Sequence, residues 1–513
     1  MMPPAFQDGP SVPRLVLHRR TRERAWQGDT ARDVLDARPA PSRLLIVSNR
    51  LPFTVRLAKG MPELVPSSGG LATALRGVHE RGGTLWLGWS GVPTGLAPAA
   101  QEEIDLRLAE RGALGVPLTE HEIGGFYRRY ANEVLWPVLH DRPQLAHLDP
   151  ADWATYRAVN ARFAEAIARE LRPGDRVWIH DYHLMLVPRF LRERSPDALV
   201  GYFLHTPFPA LESLRRLPHA HRAALLDGVL GADMLGFHTS GDASRFLESV
   251  QSTLGRITNA HEVRDGDRRV RVQACPISID FAAMDARAAD PGVIARAEAM
   301  RRRGGALMVG VDRLDYTKGI PERLRAFAEL LTRHPEHQGT LRLFQLVVPS
   351  REEIPAYRAL RTEVDSLVAN INARFGNAEW TPIEYVYATV DAATLAMLYR
   401  AADVMVVTPL RDGMNLVAKE FVASRSDDDG VLVLSQQAGA SDELRAALLV
   451  DPTDVASLAD VYARALTMSP PERRVRMRRL RRIVRRHDVH QWVRACLLSL
   501  GTHSANAVGR PAG

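Results

Sequence analysis

The hydrophobic positions of the chain fall into short runs, and stretches with helical spacing separate most of them. Apolar runs bounded by polar turns predict buried strands. They recur up to about residue 288, and after about Pro291 the alternation begins again. The predicted strands are Leu44–Val47, Leu85–Leu87, Val177–His180, Leu199–Leu204, Met234–Phe237 and Val270–Ala274, then Ala306–Val311, Leu341–Val348, Ile383–Tyr387, Val404–Val407, Val431–Leu434 and Leu448–Val450. This pattern predicts an α/β fold with two mostly parallel sheets, covered by helices, in two domains that face each other across a cleft.

The pattern also suggests where the domains begin and end. We place the first domain at 43–288 and the second at 289–482, with a C-terminal helix at 483–500 that packs back on the first domain and a tail at 501–513. Residues 1–42 are rich in Pro, Arg, Asp and Ala and lack the apolar segment of a secretory signal. We therefore expect a poorly ordered extension there.

Composition narrows the class of protein. The net charge is +7, and of the 67 basic residues all but Lys59, Lys318 and Lys419 are arginine. A lysine kept in such a chain hints at a place that needs a compact ammonium group. Cys275 and Cys496 are far apart in apolar contexts, which predicts neither a disulfide framework nor a zinc site and fits a reducing cytoplasm. No apolar run approaches the ~18 residues of a membrane span.

One segment near the C-terminus is strongly basic. Arg473–Arg486 contains nine arginines, and Met477, Leu480 and Val484 follow helical spacing between them. We predict an amphipathic helix that docks by this apolar face. A nucleic-acid-binding helix is the alternative, but no aromatic residues are interleaved with the arginines to favour it.

The stretch from Thr408 to Glu420 carries the strongest chemical signal. A predicted buried strand ends just before it, the polar turn Arg411–Gly413 follows, and Met414–Ala423 is predicted as a helix. A helix N-terminus after a strand suits phosphate binding, because its first N–H groups are free and its dipole is positive there. Asp412 is placed to hold sugar hydroxyls and Glu420 to reach a ribose. From this stretch alone, an ordinary strand–helix connection is an equal interpretation.

A second cluster follows the first strand of the second domain. Arg313 and Lys318 lie five residues apart, ahead of a predicted helix, and two cations in that position suit a diphosphate. The stretch is not a Walker loop. No Gly-x-Gly-x-x-Gly follows the first strand of the chain, which argues against a dinucleotide oxidoreductase.

The first domain also ends its strands in polar clusters. Arg50 follows the first strand, and the pair Gly69–Gly70 precedes a helix, where it suits either a phosphate or a plain turn. Asp181 lies between His180 and His183 at another strand end. Such a group of ionisable side chains is more than packing alone requires.

Three further residues of the first domain are candidates for sugar contacts. His205 follows a strand and is held by two nearby prolines. Tyr127 and Trp136 have aromatic faces that suit a sugar, although core packing explains them equally well. Taken together, cations in the second domain and an arginine with aromatics in the first indicate glycosyl transfer from an activated sugar.

The ordered motifs make the chain similar to a known family. It closely resembles the trehalose-6-phosphate synthases, retaining glycosyltransferases with the GT-B architecture of two Rossmann-like domains, from about Arg43 to Trp492. The resemblance rests on these stretches: Val47–Arg50, Gly69–Leu71, Trp89–Gly91, Val134–Pro137, His180–His183, His205–Pro209, Arg313–Gly319 and Pro409–Glu420. It implies transfer of glucose from a nucleotide-glucose, by default UDP-glucose, to glucose 6-phosphate. No phosphatase segment follows, so we expect synthase activity alone.

The resemblance also implies a role for each matching residue. The acceptor glucose 6-phosphate would be held by Arg50, Tyr127, Trp136, Asp181 and Arg351, the arginines binding its phosphate. The nucleotide-glucose donor would be held by Gly70, His205, Arg313, Lys318, Asp412, Gly413, Met414, Asn415, Leu416, Val417 and Glu420. Of these, Asp181, His205, Arg313, Lys318 and Asp412 would be the catalytic residues.

The expected mechanism is mainly electrostatic. Arg313, Lys318 and the helix N-terminus would stabilise the charge that builds on the leaving diphosphate, so neither a metal nor another cofactor is expected. Asp265–Asp267 and Asp427–Asp429 fit an Asp-x-Asp pattern but are predicted to be solvated turns. Retention would come from front-face attack, as the family is thought to use.

Several alternatives stay open at this point. One is a sister transferase that uses glycerol 3-phosphate or a cyclitol phosphate, and another is a non-catalytic sensor of sugar phosphates. We expect neither nucleic acid nor membrane as a partner, and a homo-oligomer, a dimer or a tetramer. The nucleobase of the donor is not readable from the chain.

Overall fold

The computed structural model describes residues 42–58, 61–67, 70–80 and 82–501. The expected extension before residue 42, most of the expected tail, Lys59 and Gly69 lie outside these ranges. Within them the chain forms the two parallel-sheet halves that the hydrophobic pattern predicts.

The first half is built on a nine-stranded sheet with the order β5-β4-β1-β6-β7-β8-β11-β10-β9. Its first seven strands are parallel, and β10 and β9 extend one edge as antiparallel strands. The strands are β1 Leu44–Arg50, β4 Thr84–Trp89, β5 Ala113–Gly115, β6 Arg176–His180, β7 Leu199–Phe203, β8 Met234–Phe237, β9 Thr258–Asn259, β10 Glu262–Asp265 and β11 Arg268–Ala274, with a separate hairpin of β2 Phe53–Ala58 and β3 Met61–Pro66. The central strands are apolar on both faces because helices cover both.

Helices flank this sheet on both sides. They are α1 Gly70–His79, α2 Pro98–Glu110, α3 Glu120–Glu122, α4 Trp136–Leu139, α5 Pro150–Glu170, α6 Val187–Arg194, α7 Leu211–Leu214, α8 His219–Val229 and α9 Ser240–Leu254. A π-helix, Ile123–Leu135, joins α3 to α4 and contains Tyr127. Helix α9 begins after Thr239, whose side chain accepts a hydrogen bond from the Asp242 N–H, and ends at Gly255 in the left-handed conformation.

The second half is a six-stranded, fully parallel sheet with the order β14-β13-β12-β15-β16-β17. Its strands are β12 Leu307–Arg313, β13 Arg342–Val348, β14 Ile383–Tyr387, β15 Val404–Val407, β16 Val431–Ser435 and β17 Leu448–Val450. Its helices are α10 Phe281–Ala288, α11 Pro291–Arg301, α12 Ile320–Arg333, α13 Pro355–Phe375, α14 Ala392–Ala401, α15 Leu416–Ser424 and α16 Val455–Thr467. Numbered within this half, the strand order is 3-2-1-4-5-6, the order of a Rossmann fold.

Two helices complete the chain, α17 Pro470–Arg486 and α18 Val489–Gly501. The predicted apolar face of α17 is confirmed, because Met477, Leu480 and Val484 are buried. Helix α18 lies on the first half, where the Trp492 ring is 4.9 Å from that of Trp178. The boundary at 482 stays a prediction; it lies within α17, and residues 487–488 separate α17 from α18.

The structure adds a contact between the two cysteines and corrects the prediction for one Asp-x-Asp stretch. Cys275 and Cys496 are far apart in sequence, but α18 brings their Sγ atoms to 3.0 Å, and both are buried free thiols. Asp265 is not solvated: it is 8% exposed and pairs with Arg189. Asp427 is exposed, as predicted, and its carboxylate pairs with the buried Arg425, so an aspartate of each Asp-x-Asp stretch binds an arginine.

Two further observations on the described residues concern membranes and metal ions. None of their helices is long and apolar enough to cross a membrane. No cluster of three or more His, Cys, Asp or Glu side chains within the described ranges has the arrangement of a metal site.

Candidate active site

In each half, two of the predicted site residues lie at or just after the ends of the two strands at which the strand order reverses. In the first half these strands are β1, which ends at Arg50, and β6, which Asp181 follows. In the second half they are β12, which ends at Arg313, and β15, which precedes Asp412. Ligands of open parallel sheets bind beyond the carboxyl ends of the strands at such reversal points. The strand order therefore supports the same sites that the polar clusters indicated.

Lys318 and Asp412 meet in the second half. The Lys318 Nζ donates to Asp412 Oδ2 at 2.6 Å, and the Asn415 amide donates to the same oxygen at 3.1 Å. Burial alone would raise the pKa of Asp412, but the charge and hydrogen bond of Lys318 outweigh it and lower that pKa. Asp412 is therefore a carboxylate at neutral pH, and its second oxygen is the one that can accept from a sugar hydroxyl.

Arg313 differs from Lys318 in its surroundings. Lys318 is 8% exposed, whereas Arg313 is exposed at the end of β12. Among the residues that the structure describes, none forms a hydrogen bond or ion pair with the Arg313 side chain, whose Cζ lies 5.9 Å from the Trp136 ring. Its guanidinium donors are thus not used within the described structure and can bind an anion.

The helix after Asp412 begins later than the sequence predicted. Helix α15 starts at Leu416 and ends at Ser424, so the predicted bounds Met414–Ala423 were wrong. The reason is Asn415, which adopts a left-handed conformation with φ of 71° and accepts a hydrogen bond from the Ala418 N–H through its side chain. Leu416 and Val417 form the first turn, so their N–H groups are the ones that a phosphate can reach.

Gly413 and Gly70 bring other elements close to this helix. A Cβ on Gly413 would lie 2.2 Å from the carbonyl oxygen of His205, so the turn of the second half touches the loop after β7. A Cβ on Gly70 would lie 3.4 Å from Leu416 Cδ1, so α1 begins beside the first turn of α15. Both glycines thus belong to contacts between the two halves.

Two neighbouring side chains of α15 have different surroundings. Glu420 accepts a hydrogen bond from the Tyr399 hydroxyl at 2.8 Å, and burial raises its pKa. Lys419, left without a role by the sequence, is 1% exposed and donates to Glu443 at 2.6 Å and to the Ile277 carbonyl at 2.8 Å. Lys419 therefore links α15 to the segment around Ile277, which leads into the second half.

Arg50 and Tyr127 lie together in the first half. The exposed Arg50 guanidinium lies 4.6 Å from the Trp89 ring and 5.9 Å from the Tyr127 ring, and Tyr127 stacks on His183 at 5.7 Å. Burial lowers the pKa of His183 to about 3, and the charges of Arg351 and Arg50 add to this effect. His183 therefore lies close to both arginines that the resemblance assigns to one phosphate.

Trp136 crosses from the first half to the second. Its ring is 4.1 Å from Arg351 Cζ, and its Nε1 donates to Asp315 Oδ1 at 3.4 Å. Arg351 also donates to the Tyr182 hydroxyl at 3.1 Å. Arg351, unlike Arg50, is thus held by groups of both halves before any ligand binds.

Asp181 links the acceptor side to His205. The residue has a φ of 75°, and its Oδ1 accepts from the His205 backbone N–H at 3.2 Å. Burial raises its pKa to about 6, and hydrogen bonds from backbone N–H groups limit the rise. The structure therefore places Asp181 in contact with His205, although the sequence put the two residues in separate clusters.

Several residues of this site were not predicted from the sequence. Asp315 is 1% exposed and accepts from the Tyr357 hydroxyl at 3.1 Å. His140 is buried, and the charges of Asp315, Lys318 and Asp412 act on its pKa. Asp315 lies within the Arg313–Gly319 motif, which is a signal that could have found it. No motif marks Tyr357 or His140.

Asp315 gives the first testable prediction. Asp315→Asn keeps the size of the side chain but removes the negative charge beside the buried Arg351 guanidinium. We expect the free energy of unfolding to fall by about 1–3 kcal/mol, since a buried charge loses its partner. Urea unfolding measures this. The matched control is Asp365→Asn, which breaks the exposed pair with Arg361 and should cost less than about 1 kcal/mol; equal losses would contradict the assignment.

Buried histidines make the fold sensitive to mild acid. Burial, the largest cause in each case, lowers the pKa of His140 to about 4 and that of His238 to about 3. The unfolded chain takes up these protons below about pH 6.5, so stability is lost as the pH falls below that value. The raised pKa of Asp181 has the opposite effect on stability, because the folded protein binds this proton more tightly than the unfolded chain between about pH 6 and pH 4. Asp181 is a single group, however, and the buried histidines outnumber it.

The second prediction follows from this imbalance. We expect the protein to lose stability between pH 7 and pH 5, and His238→Asn to reduce that loss by about 2 kcal/mol, the proton-linked cost of one such histidine. An asparagine oxygen can still accept from the Ile277 N–H, as His238 Nδ1 does. Urea unfolding at both pH values measures the effect, with the exposed His261→Asn as control. An unchanged pH dependence in His238→Asn would refute the explanation.

Comparison with known proteins fits this geometry. Residues 42–502 match the model of Glycosyltransferase family 20. A trehalose-6-phosphate synthase of Mycobacterium sp. (strain JLS) is 41% identical over 472 residues, which cover 90% of this chain and 96% of that protein. A bifunctional trehalose-6-phosphate synthase/phosphatase of Thermoproteus tenax is 43% identical over 463 residues, but this chain spans only 62% of its length.

Solved structures agree in fold. An α,α-trehalose-phosphate synthase (UDP-forming) from Burkholderia xenovorans, in complex with glucose-6-phosphate, aligns with a TM-score of 0.80 at 33% identity and covers 90% of this chain and 100% of that one. A structure described as "Trehalose-6-phosphate from E. coli bound with UDP-2-fluoro glucose" aligns with a TM-score of 0.80 at 34% identity, covering 90% and 99%. The two halves are thus those of a GT-B enzyme, and the chain belongs to glycosyltransferase family 20.

Proposed function

We propose that this chain is a retaining glycosyltransferase that moves glucose from UDP-glucose to glucose 6-phosphate, forming α,α-trehalose 6-phosphate and UDP. The observation that carries the proposal is the pairing of two ligand sites at strand-order reversals. One presents Arg313, Lys318 and Asp412, and the other presents Arg50 and Asp181. The Burkholderia and E. coli structures hold glucose-6-phosphate and a UDP-sugar analogue respectively, which supports the same pair of ligands here.

The second half is the proposed site of the nucleotide-glucose. Arg313 and Lys318 bind the diphosphate, together with the N–H groups at the start of α15 and the close backbone at Gly70. Asp412 and His205 hold the glucose, and Glu420 holds the ribose. The Tyr399 hydrogen bond supports the last assignment, since it fixes the Glu420 carboxyl group in one orientation.

The first half is the proposed site of the acceptor. Arg50 and Arg351 bind its phosphate, and their shared neighbour His183 supports this, because it lies within range of both charges. Tyr127 and Trp136 cover the sugar, and Asp181 accepts from one of its hydroxyls. Trp136 already contacts Asp315 and Arg351 of the other half, which supports its place between the two proposed sites.

Charge stabilisation is the proposed source of catalysis. As the bond from the glucose to the diphosphate breaks, negative charge grows on the leaving phosphate oxygens, and Arg313, Lys318 and the α15 N-terminus are fixed beside them. The acceptor hydroxyl attacks from the face that the diphosphate leaves, and its proton passes to a leaving phosphate oxygen. Asp412 forms an ion pair with Lys318 and accepts a hydrogen bond from the Asn415 amide, which favours a role in holding hydroxyls over one as a nucleophile.

The test is a matrix of substrates. Purified protein is incubated with UDP-, GDP- or ADP-glucose and with glucose 6-phosphate, glycerol 3-phosphate or an inositol phosphate, and released nucleoside diphosphate is measured. We expect release from UDP-glucose that depends on glucose 6-phosphate. Release only with another acceptor would favour the sister transferase, and sugar-phosphate binding without any release would favour the sensor. Either result would overturn the proposal.

Other expectations from the sequence stay predictions. The homo-oligomeric state, a dimer or a tetramer, is open to light scattering, and the cytoplasmic location to fractionation of the source cells. The domain boundaries at 288 and 482 likewise stay predictions, and the contacts of α10 with α14 and α15 favour a first boundary that lies before α10. The phosphatase activity in the name of the Thermoproteus tenax relative is not carried over, because this chain spans 62% of that protein.

A further inference from the structure

Two histidines share a hydrogen bond behind the proposed glucose site. His180, the last residue of β6, is fully buried, and its Nδ1 lies 3.1 Å from the Nε2 of His205. Burial lowers the pKa of both far below the ordinary value, so both rings are neutral at neutral pH. In a pair of neutral imidazoles, one nitrogen must donate the shared proton and the other must accept it.

The second nitrogen of His180 indicates which ring donates. His180 Nε2 is buried and has no hydrogen-bond partner among the described residues. The neighbouring Trp178 ring, 4.6 Å away, has its Nε1 in the same condition, and this atom can only donate. A proton on His180 Nε2 would put two unsatisfied donors in adjacent rings, which is rare and costly. A proton on Nδ1 instead leaves a lone pair on Nε2, so that the Trp178 N–H is the one unsatisfied donor of the two rings.

This choice determines the state of His205. If His180 Nδ1–H donates, His205 Nε2 accepts, and the His205 proton is on Nδ1. Within the described structure His205 Nδ1 has no partner, and it is not among the fully buried polar atoms. The backbone of His205 is held by Asp181 on one side and packs against Gly413 on the other. The main chain of His205 is therefore fixed in place. Its ring then has one N–H group, at Nδ1, that can donate to a ligand.

We propose that His180 is a positioning residue that sets the tautomer of His205, so that the Nδ1–H of His205 donates a hydrogen bond to an oxygen of the donor glucose. The inference rests on the proposed function, because that function puts glucose beside His205. A sugar hydroxyl can donate or accept. With His205 fixed as a donor and the Asp412 carboxylate fixed as an acceptor, the polarity of the pocket is set before the substrate enters.

Nitrogen NMR of the protein with labelled histidine tests the tautomer without any substrate. The ring ¹⁵N shifts distinguish a protonated nitrogen from one with a lone pair, and His205→Asn identifies the signals. We expect His205 to carry its proton on Nδ1 and His180 to carry its own on Nδ1. A His205 ring protonated on Nε2 in the wild-type protein would overturn the proposal, whatever any variant does.

Three substitutions of His180 test the consequence for catalysis. In His180→Asn the side-chain amide can donate from the former Nδ1 position, so we expect kcat/KM for UDP-glucose within about threefold of wild type. His180→Leu removes the donor and should lower it by about tenfold, the usual effect of one lost hydrogen bond. His180→Asp offers only acceptors, so we expect His205 to shift its proton to Nε2 and kcat/KM to fall further than with leucine.

The matched control is Phe203→Leu, which changes the packing beside His205, 4.7 Å between rings, and leaves the His180–His205 hydrogen bond in place. We expect it to keep the His205 tautomer and to lower kcat/KM less than His180→Asp. Equal losses in His180→Asn and His180→Asp would show a packing role and contradict the proposal. If wild-type protein does not turn over UDP-glucose, the proposed function fails, whereas the NMR result judges the tautomer separately.

Discussion

Replacing Arg313 with alanine should lower turnover about a hundredfold or more, the effect of losing one fixed group that stabilises transition-state charge. The structure makes this substitution a clean test. Arg313 is exposed, and within the described part of the chain it has neither an ion pair nor a hydrogen bond to lose. We therefore expect the thermal midpoint to change by less than the error of the measurement, while kcat falls. Steady-state kinetics and a thermal melt on the same preparation check both.

Its control is Arg479→Ala on α17, which removes another exposed arginine that has no ion pair within the described residues and should leave turnover unchanged. Near-normal turnover in Arg313→Ala would end the assignment of a diphosphate clamp. Lys318→Ala should reduce turnover comparably, but it also leaves the Asp412 carboxylate without its ammonium partner. We expect that variant to lose stability as well, which makes it the less clean of the two.

The second large effect is expected from Gly413→Ala. The φ of Gly413 is outside the left-handed range, so the requirement for glycine comes from space. The added Cβ would lie 2.2 Å from the His205 carbonyl oxygen, closer than real Cβ atoms approach, so the two backbones must separate by about 1 Å. Because His205 and Asp412 flank this contact, we expect kcat to fall by about a hundredfold, as a misplacement of this size can cause.

A helical glycine provides the comparison for that variant. A Cβ added to Gly241, in the first turn of α9, would approach only the Thr239 hydroxyl, at the ordinary distance of 3.7 Å, so Gly241→Ala should keep full activity. Steady-state kinetics of both variants decides the point. If Gly413→Ala kept wild-type kcat, the contact between the turn and the His205 loop would not be part of the working site.

Most of the fold could be predicted because parallel strands covered on both faces are apolar throughout. Strand bounds such as Met234–Phe237 and Ile383–Tyr387 agree with the structure to the residue. The antiparallel edge formed by β9 and β10 was missed, since Glu262–Asp265 has no apolar run. The predicted start of α15 was wrong because Asn415 has a left-handed conformation and the helix begins only after it. The spacing of hydrophobic residues does not indicate such a backbone conformation.

The residues of the site likewise divide into those that could be predicted from the sequence and those that could not. Arg313, Lys318 and Asp412 could be found from sequence, because each follows a strand whose end can be located. The contacts between the halves could not, because they join residues distant in sequence. Trp136 and Asp315 are separated by 179 positions, and Cys275 meets Cys496 only because α18 returns to the first half.

The central claim is that the two facing sites join two particular sugars in one bond. The most direct measurement is NMR of the product made from UDP-[1-¹³C]glucose and glucose 6-phosphate, with UDP release followed in parallel. We predict one disaccharide phosphate per UDP, with no reducing end, and α configuration at the labelled anomeric carbon, which shows retention. A β-configured product, or UDP release that yields only free glucose, would contradict the account.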